Sequence, residues 1–416
     1  MNILYLEHYA GSTEYGMEYR PYYLSKEWVG KGHSVTIVAA SFSHLRSKQP
    51  VVNNKPEVEI IENIRYIWMP TRSYNGNGIS RIFNIADYLT GIRSLPKILN
   101  NEKFDAIIAS STYPFDNFYA HSLAKKWQAV HIYEVHDLWP LSPIELGGYS
   151  RHNPVIIATQ YAEDNAYTNA DAVVSLLPLA KEYMISRGLS ENKFYYVPNG
   201  IYIYEWTEGL NNYSEYWAVK LAPLKEKKIL IGYAGSHGIA NALDSLIEAA
   251  SQLPEYGFVL VGQGPEKERL LSKTENMLLK NVLFLDSVSK KKIPAFLEQM
   301  DILYIGLQFQ SLFRFGISPN KLMDYMMAGK PIICAIKTGN DIVSEAGCGV
   351  SIEPENPLAL VKALKELASM DPDTRLQMGL RGKNYVMEKH DYRVLADQFL
   401  SIIENSLKNK KRNMSC

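Results

Sequence analysis

Short apolar runs alternate with stretches whose apolar residues recur at helical spacing, almost from one end of the chain to the other. Runs this short, rich in β-branched and aromatic residues, fit buried strands better than helices. In the first half they are Ile3–Tyr5, Val35–Ala39, Tyr66–Met69, Ala106–Ala109, Ile132–Val135, Ala172–Leu176 and Tyr195–Val197, with amphipathic stretches such as Met17–Val29 and Phe118–Trp127 between them. The pattern restarts at Lys228–Tyr233, followed by a helix over Ala240–Gln252. Further strands are predicted at Phe258–Val261, Val282–Leu285, Ile302–Ile305, Pro331–Ala335 and Val350–Ile352. Strands alternating with helices predict parallel sheets covered on both faces, hence an α/β fold of two doubly wound, Rossmann-like units in series. The turn at Pro198-Asn199-Gly200 marks the break. It gives domains 1–199 and 200–389, with a helix at about 390–416 packing back on the first. The connection Ile201–Lys227 carries Trp206 and Trp217 and is too aromatic for a bare linker.

A chain of 416 residues suits two domains. Its 44 basic and 44 acidic side chains argue against a nucleic-acid coat protein. The three cysteines, Cys334, Cys348 and Cys416, are too scattered for a disulfide framework or a zinc site, and read as reduced thiols. The opening MNILYLEHY has neither the basic lead nor the long apolar core of a secretion signal. No run reaches the ~18 apolar residues of a spanning helix. A cytoplasmic protein is expected, with room for peripheral contact at the inner face of the membrane. Two stretches bear on that contact: a helix over Ile79–Leu99 with Arg81, Phe83, Tyr88, Arg93 and Lys97, and the basic tail Lys408–Arg412. Each reads either as a membrane-surface element or as an ordinary solvated face.

In open parallel sheets, ligands bind beyond the carboxyl ends of the strands, so residues just after strands are the candidates for chemistry. The segment Phe313–Pro331, FRFGISPNKLMDYMMAGKP, follows the strand Ile302–Ile305. Ser318 is predicted as helix N-cap with Pro319 at the first helical position, and the helix stops at Gly329. The unpaired N–H groups around Ser318, Asn320 and Lys321, with the Lys321 charge, would receive a phosphate. Asp324, one turn beyond Asn320, would accept from ribose hydroxyls. Read blandly, the same residues are a capped helix with a solvated lysine.

This segment resembles the donor-binding motif of family 4 retaining glycosyltransferases of GT-B fold, in particular the branch that builds bacterial surface polysaccharides such as O-antigen and capsule. Ser-Pro-x-Lys, an acidic residue, Tyr-Met and Ala-Gly-x-Pro stand in the same order, and KGHSVTIV and VPNGI extend the likeness along most of the chain. The resemblance implies two Rossmann-like domains facing each other across a cleft, the first binding acceptor and the second the nucleotide sugar. One departure is informative. The family's two glutamates, eight positions apart, are replaced by Gly316 and Asp324.

After the second-half first strand, Gly235, Ser236 and Gly238 form a loop suited to close ligand approach. The basic pair of similar enzymes is missing there, so Arg314 and Lys321 are the expected replacements. The turn containing Gly264 lacks the third glycine of a dinucleotide fingerprint and is expected to border a base pocket. By resemblance, backbone near Val288 meets the base, His136 contacts the transferred sugar, and Gly16 and Arg20 line the diphosphate and acceptor side. Asp137 is expected to orient His136 or meet the acceptor.

The function expected is transfer, with retention, of a hexosyl or N-acetylhexosaminyl group from a nucleotide sugar to a glycan or polyprenyl-diphosphate-linked acceptor. UDP is the first choice of nucleotide and GDP the second; no cofactor or metal ion is expected. A nucleotide-sugar epimerase of the same fold, which would change donor without acceptor, is one alternative. A non-catalytic scaffold in polysaccharide assembly, indifferent to Lys321→Ala, is the other.

Overall fold

The computed structural model of the protein describes residues 1–76, 78–100 and 102–415; Cys416 lies outside them. The chain divides into two units, Met1–Pro198 with the chain from Tyr392 on, and Asn199–Asp391.

The first unit is built on an eight-stranded sheet: β1 Asn2–Leu6, β2 Ser34–Ala40, β3 Glu57–Ile61, β4 Ile64–Met69, β5 Ala106–Ala109, β6 Val130–Val135, β7 Ala172–Ser175 and β8 Phe194–Tyr196. Their order is β3-β4-β2-β1-β5-β6-β7-β8. Every pair is parallel except β3 with β4. Burial is complete along β5, β6 and β7, as expected of parallel strands covered by helices on both faces. The antiparallel edge strand β3 is absent from the sequence reading. Its alternation of Glu57, Val58, Glu59 and Ile60 leaves only Ile61 buried, so the apolar run that marks the other strands is missing. It joins β4 through Glu62 and Asn63, both at positive φ, as a tight hairpin turn requires. The helix expected over Ile79–Leu99 is two helices, Ile79–Ile92 and Leu95–Ile98, the second opening at Leu95-Pro96.

The final helix, Tyr392–Ser415, belongs to this unit and lies against the helix Arg20–Gly30. Trp28 fixes the contact: its indole N–H donates to the Ala396 carbonyl at 3.0 Å and its ring meets Phe399 edge-on at 5.4 Å. Lys410 in the basic tail is tied to Asp171 at 2.7 Å and to the Ala129 carbonyl, so that charge is committed internally.

The second unit holds β9 Leu230–Ala234, β10 Gly257–Val261, β11 Val282–Leu285, β12 Ile302–Gly306, β13 Ile332–Ala335 and β14 Gly349–Ser351, all parallel, in the order β11-β10-β9-β12-β13-β14. Alternate residues of β10 enter opposite cores. Val259 and Val261 pack with Leu303, Met323 and Met326, while Phe258 and Leu260 pack with Ile247, Leu364 and Leu367. The connection carries two helices, Ile203–Asn212 and Ser214–Leu221. It is anchored by fully buried Trp217, which donates to the Lys292 carbonyl at 2.8 Å and packs on Phe296.

In each sheet the strand order reverses beside the unit's first strand: β1 lies between β2 and β5, and β9 between β10 and β12. Loops leaving the carboxyl ends on either side of such a switch point diverge and leave a crevice. Each unit therefore has its own place for a ligand.

Candidate functional site

At the switch point of the second unit, β9 runs into the loop Gly235–Gly238, and β12 leads through a 3₁₀ turn, Ser311–Phe315, to the helix Asn320–Met327. The cap of that helix is Pro319, in extended conformation, and not Ser318. Ser318 is otherwise engaged. Its hydroxyl accepts from the Asn199 N–H at 2.8 Å and its carbonyl from the Asn199 amide at 2.9 Å, which pins the helix start to the turn that opens this unit. A proline cap offers no side-chain acceptor, so the first N–H groups of the helix, at Asn320 and Lys321, keep their positive end for a ligand.

The Lys321 ammonium donates to Asn241 Oδ1 at 2.5 Å and to the Tyr233 hydroxyl at 3.2 Å, and sits 4.9 Å from the Tyr233 ring centre. Among the described residues no carboxylate pairs with it. Burial pushes its pKa down from 10.5 to about 8. A half-buried cation with no counter-charge is costly, and an anion placed beside it would relieve that cost. Gly235 keeps the space open: a Cβ there would lie 3.2 Å from the Lys321 amine and 3.0 Å from the Tyr233 hydroxyl. Ser236 is exposed, its carbonyl accepting from Tyr233 at 2.7 Å. Gly238 is extended, with space for a Cβ beside the Ser236 hydroxyl, so nothing in the backbone demands glycine there.

Gly264 packs against the loop of His237. A Cβ on it would stand 2.5 Å from the His237 carbonyl oxygen, so its part is to let two loops touch. His237 itself is buried, neither ring nitrogen has a hydrogen-bond partner among the described residues, and burial, then Lys267 and Lys321, push its pKa down to about 4. Arg314 lies exposed on the 3₁₀ turn, donating to the Ser311 carbonyl at 2.7 Å and stacked on Phe315. Gly316, where the family usually has glutamate, has φ 93° and ψ 171°, a conformation essentially confined to glycine. The missing glutamate is thus a backbone difference as well as a side-chain one. Asp324 is half-buried, has no side-chain partner among the described residues, and is raised by burial to about 6. Val288 lines a cavity of about 180 Å³ with Tyr216, Lys220, Phe284 and Asp286. Tyr216 and Lys220, which the sequence reading missed, come from the aromatic connection.

At the switch point of the first unit, the residues just past β1, β5 and β6 are Glu7, Ser110 and His136. His136 Nε2 lies 2.8 Å from the Ser110 hydroxyl, 3.4 Å from Glu134 and 4.0 Å from Glu7. Burial acts to lower the pKa of His136, but the hydrogen bond and charge of Glu134, followed by Glu7 and Glu18, prevail and raise it to about 9. Glu134 was not foreseen. It is fully buried in β6, accepts from Ser110 at 2.6 Å and from the Tyr5 hydroxyl, and pairs with Arg20 at 2.8 Å.

Three expectations are corrected here. Arg20 is fully buried, donating to Glu134 and to the carbonyls of Val197 and Pro198, and has no surface for an acceptor. Gly16 is buried and its N–H donates to the Ser12 carbonyl, so that N–H is not free for a diphosphate. Of the two roles expected of Asp137, orienting His136 falls to Ser110 and Glu134 instead, while Asp137 itself is exposed. The one Asp-x-Asp triplet, Asp371-Pro372-Asp373, opens the helix Pro372–Lys389, with Asp371 capping Thr374. Among the described residues no cluster of three or more His, Cys, Asp or Glu is suited to a metal ion, and no helix is long and apolar enough to cross a membrane.

Against this geometry, the family model Glycosyltransferase Family 4 matches residues 15–203 and the model Glycosyl transferases group 1 matches residues 219–385, one to each unit. The chain belongs to the family 4 glycosyltransferases, and its fold is GT-B. It is 26% identical over 274 residues to TuaH of Bacillus subtilis, described as a teichuronic acid biosynthesis glycosyltransferase, covering 63% of this chain and 64% of that one. It is 32% identical over 162 residues to the D-rhamnosyltransferase WbpZ of Pseudomonas aeruginosa, 37% of this chain and 38% of that one. The matched stretches span less than two thirds of either relative. In structure it is similar to Anabaena HepE solved with UDP, at TM-score 0.68 and 13% identity, over 97% of this chain and 100% of that one. At that identity the likeness speaks for the fold alone.

Proposed function

We propose that the protein transfers a sugar from a nucleotide-sugar donor, UDP-linked in the first instance, to a glycan or lipid-linked glycan in bacterial surface polysaccharide synthesis. The observation that carries the reading is Lys321: a half-buried ammonium at a helix start and switch point, with no carboxylate partner among the described residues. The donor diphosphate supplies the missing charge. Helix N–H groups and Lys321 then stabilise the leaving nucleoside diphosphate as the glycosidic bond breaks. Asp324 takes the ribose hydroxyls, and the cavity beside Val288 and Tyr216 takes the base. The fold neighbour HepE is solved with UDP, in keeping with a nucleotide-linked donor.

Retention of configuration is proposed through attack on the face from which the leaving group departs. In the first unit Glu134 is bound to Arg20 and Glu7 is only 2% exposed, so neither offers a free nucleophile for a covalent intermediate. The cationic groups neutralise the diphosphate without a metal ion. Peripheral membrane contact is assigned to the outer face of the helix Ile79–Ile92, where Ile79, Ile82 and Phe83 are exposed.

A thermal-shift panel of UDP, GDP, ADP and their sugars tests the reading, because a ligand of the native state raises its stability. UDP or its sugars should give the largest rise. If no nucleotide shifts the protein, the reading fails.

A further inference from the structure

The first unit's crevice holds more charge than any single role for His136 explains. Arg20 on its helix and Glu134 in β6 are both fully buried and face each other at 2.8 Å, so their charges cancel. Glu134 accepts from Arg20, Ser110 and the Tyr5 hydroxyl, and its carboxylate also lies 3.4 Å from His136 Nε2. Burial alone would raise its pKa, but Arg20, then His136 and the Ser110 hydrogen bond, hold it ionised. From β1 comes Glu7, whose Oε1 accepts from the Tyr9 N–H at 3.0 Å and which burial pushes up to about 8. Glu18, ahead of the helix Arg20–Gly30, acts on both Glu7 and His136; Asp116 acts on Glu7; Asp137 follows His136 in sequence. With Arg20 and Glu134 cancelled and Glu7 neutral, the imidazole ring is the uncompensated charge of the pocket.

We infer that Glu134, directly and through the Ser110 hydroxyl, is a positioning residue that holds His136 as an imidazolium anchored at Nε2, with the Nδ1–H left as a fixed hydrogen-bond donor. Three geometric facts support it. Nε2 faces Ser110, Glu134 and Glu7 within 4.0 Å, while Nδ1 has no protein partner among the described residues. The ring retains a side-chain exposure of 16%, so one edge is open. Ser110 can donate only one proton, which Glu134 receives at 2.6 Å, so at 2.8 Å its oxygen is left to accept from Nε2–H. A ring that donates at Nε2 and carries a proton at Nδ1 cannot act as a general base. It serves as a cationic donor to an electron-rich oxygen, and on the glycosyltransferase reading that oxygen belongs to a sugar substrate entering this unit's crevice. The inference rests on that reading only for the identity of the oxygen.

The test is a pH titration of the full chain labelled with ¹⁵N-histidine, followed by NMR, with His136 assigned by the spectrum of His136→Gln. In the wild type, His136 should remain doubly protonated through neutrality and titrate near pH 9. Glu134→Gln should bring its midpoint down by about two pH units. Because that variant leaves Arg20 buried without its partner, Ser110→Ala provides a second arm that keeps both charges. Its midpoint should fall by less, and the Nε2 resonance should move more than Nδ1. A wild-type His136 that is neutral at pH 7, or a midpoint indifferent to both substitutions, overturns the inference. UDP-glucose consumption by the wild type, followed from pH 6 to 10 in the same buffers, keeps the two questions apart. Absence of turnover with UDP-glucose, and with a panel of other UDP- and GDP-sugars run alongside, counts against the glycosyltransferase reading, while the titration still decides the role of Glu134.

Discussion

Replacing Lys321 with methionine should stabilise the free protein and weaken its response to nucleotide, two effects of opposite sign. The amine is depressed from 10.5 to about 8, so its charged form is disfavoured in the folded state by about 3 kcal/mol. Because the folded pKa lies below the unfolded one, this penalty is full below about pH 8. It fades as pH rises from there toward 10.5, where the unfolded chain binds the extra proton. Methionine removes the charge at similar length but leaves Asn241 Oδ1 and the Tyr233 hydroxyl without their donor, at about 1–2 kcal/mol. The net gain of about 1–2 kcal/mol at pH 7 should raise the melting temperature of the second unit by a few degrees, on the order of 2–6 °C. UDP at 100 times its Kd stabilises the wild type by about 2.7 kcal/mol. The variant, lacking a charged contact worth about 1.5–3 kcal/mol, should need roughly 10- to 150-fold more UDP for the same shift. Scanning calorimetry with and without UDP reads both effects. A variant that melts below the wild type in nucleotide-free buffer and still shifts equally with UDP would refute the assignment of Lys321.

UDP affinity should decline above about pH 8 as Lys321 loses its proton, and below about pH 6 as Asp324 gains one; Asp324→Asn should flatten the acid limb in a fluorescence titration. Gly316→Ala places a side chain in a conformation that costs about 1–3 kcal/mol, and urea unfolding should show that loss. Arg20→Ala leaves Glu134 buried and unpaired, so a loss of about 3–5 kcal/mol is expected, seen as low soluble yield or early melting rather than as a changed acceptor KM. Trp28→Ala should cost about 3–5 kcal/mol by removing the contact with Ala396 and Phe399.

Both sheets are legible in the sequence because strands buried on two faces, such as Ala106–Ala109 and Ile332–Ala335, have no polar side to blur the apolar run. The edge strand Glu57–Ile61 is not, because only one end of it is buried. The helix start at Lys321 is legible from its Ser-Pro and glycine punctuation, whereas the cap assignment fails. A hydroxyl promised to Asn199, 119 positions away, competes with the local cap, and local spacing carries no sign of such a partner. Arg20 fails for a related reason: its polar residue type suggests a ligand, while its partner Glu134 becomes adjacent only when β6 forms. A clue was present. A glutamate inside the otherwise buried run Val130–Val135 must find a cation or a proton, and Arg20 is that cation. The contribution of Tyr216 and Lys220 to the cavity beside Val288 depends on how the connection folds over β11, which spacing along the chain does not encode.

Isothermal titration of the full chain with UDP and, separately, with uridine isolates the diphosphate from the base. If the helix start and Lys321 form the anion pocket, UDP should bind at least about 50-fold more tightly than uridine, and the difference should vanish in Lys321→Met. Equal affinity for the two ligands, or a preference for UDP that survives the substitution, would contradict the site.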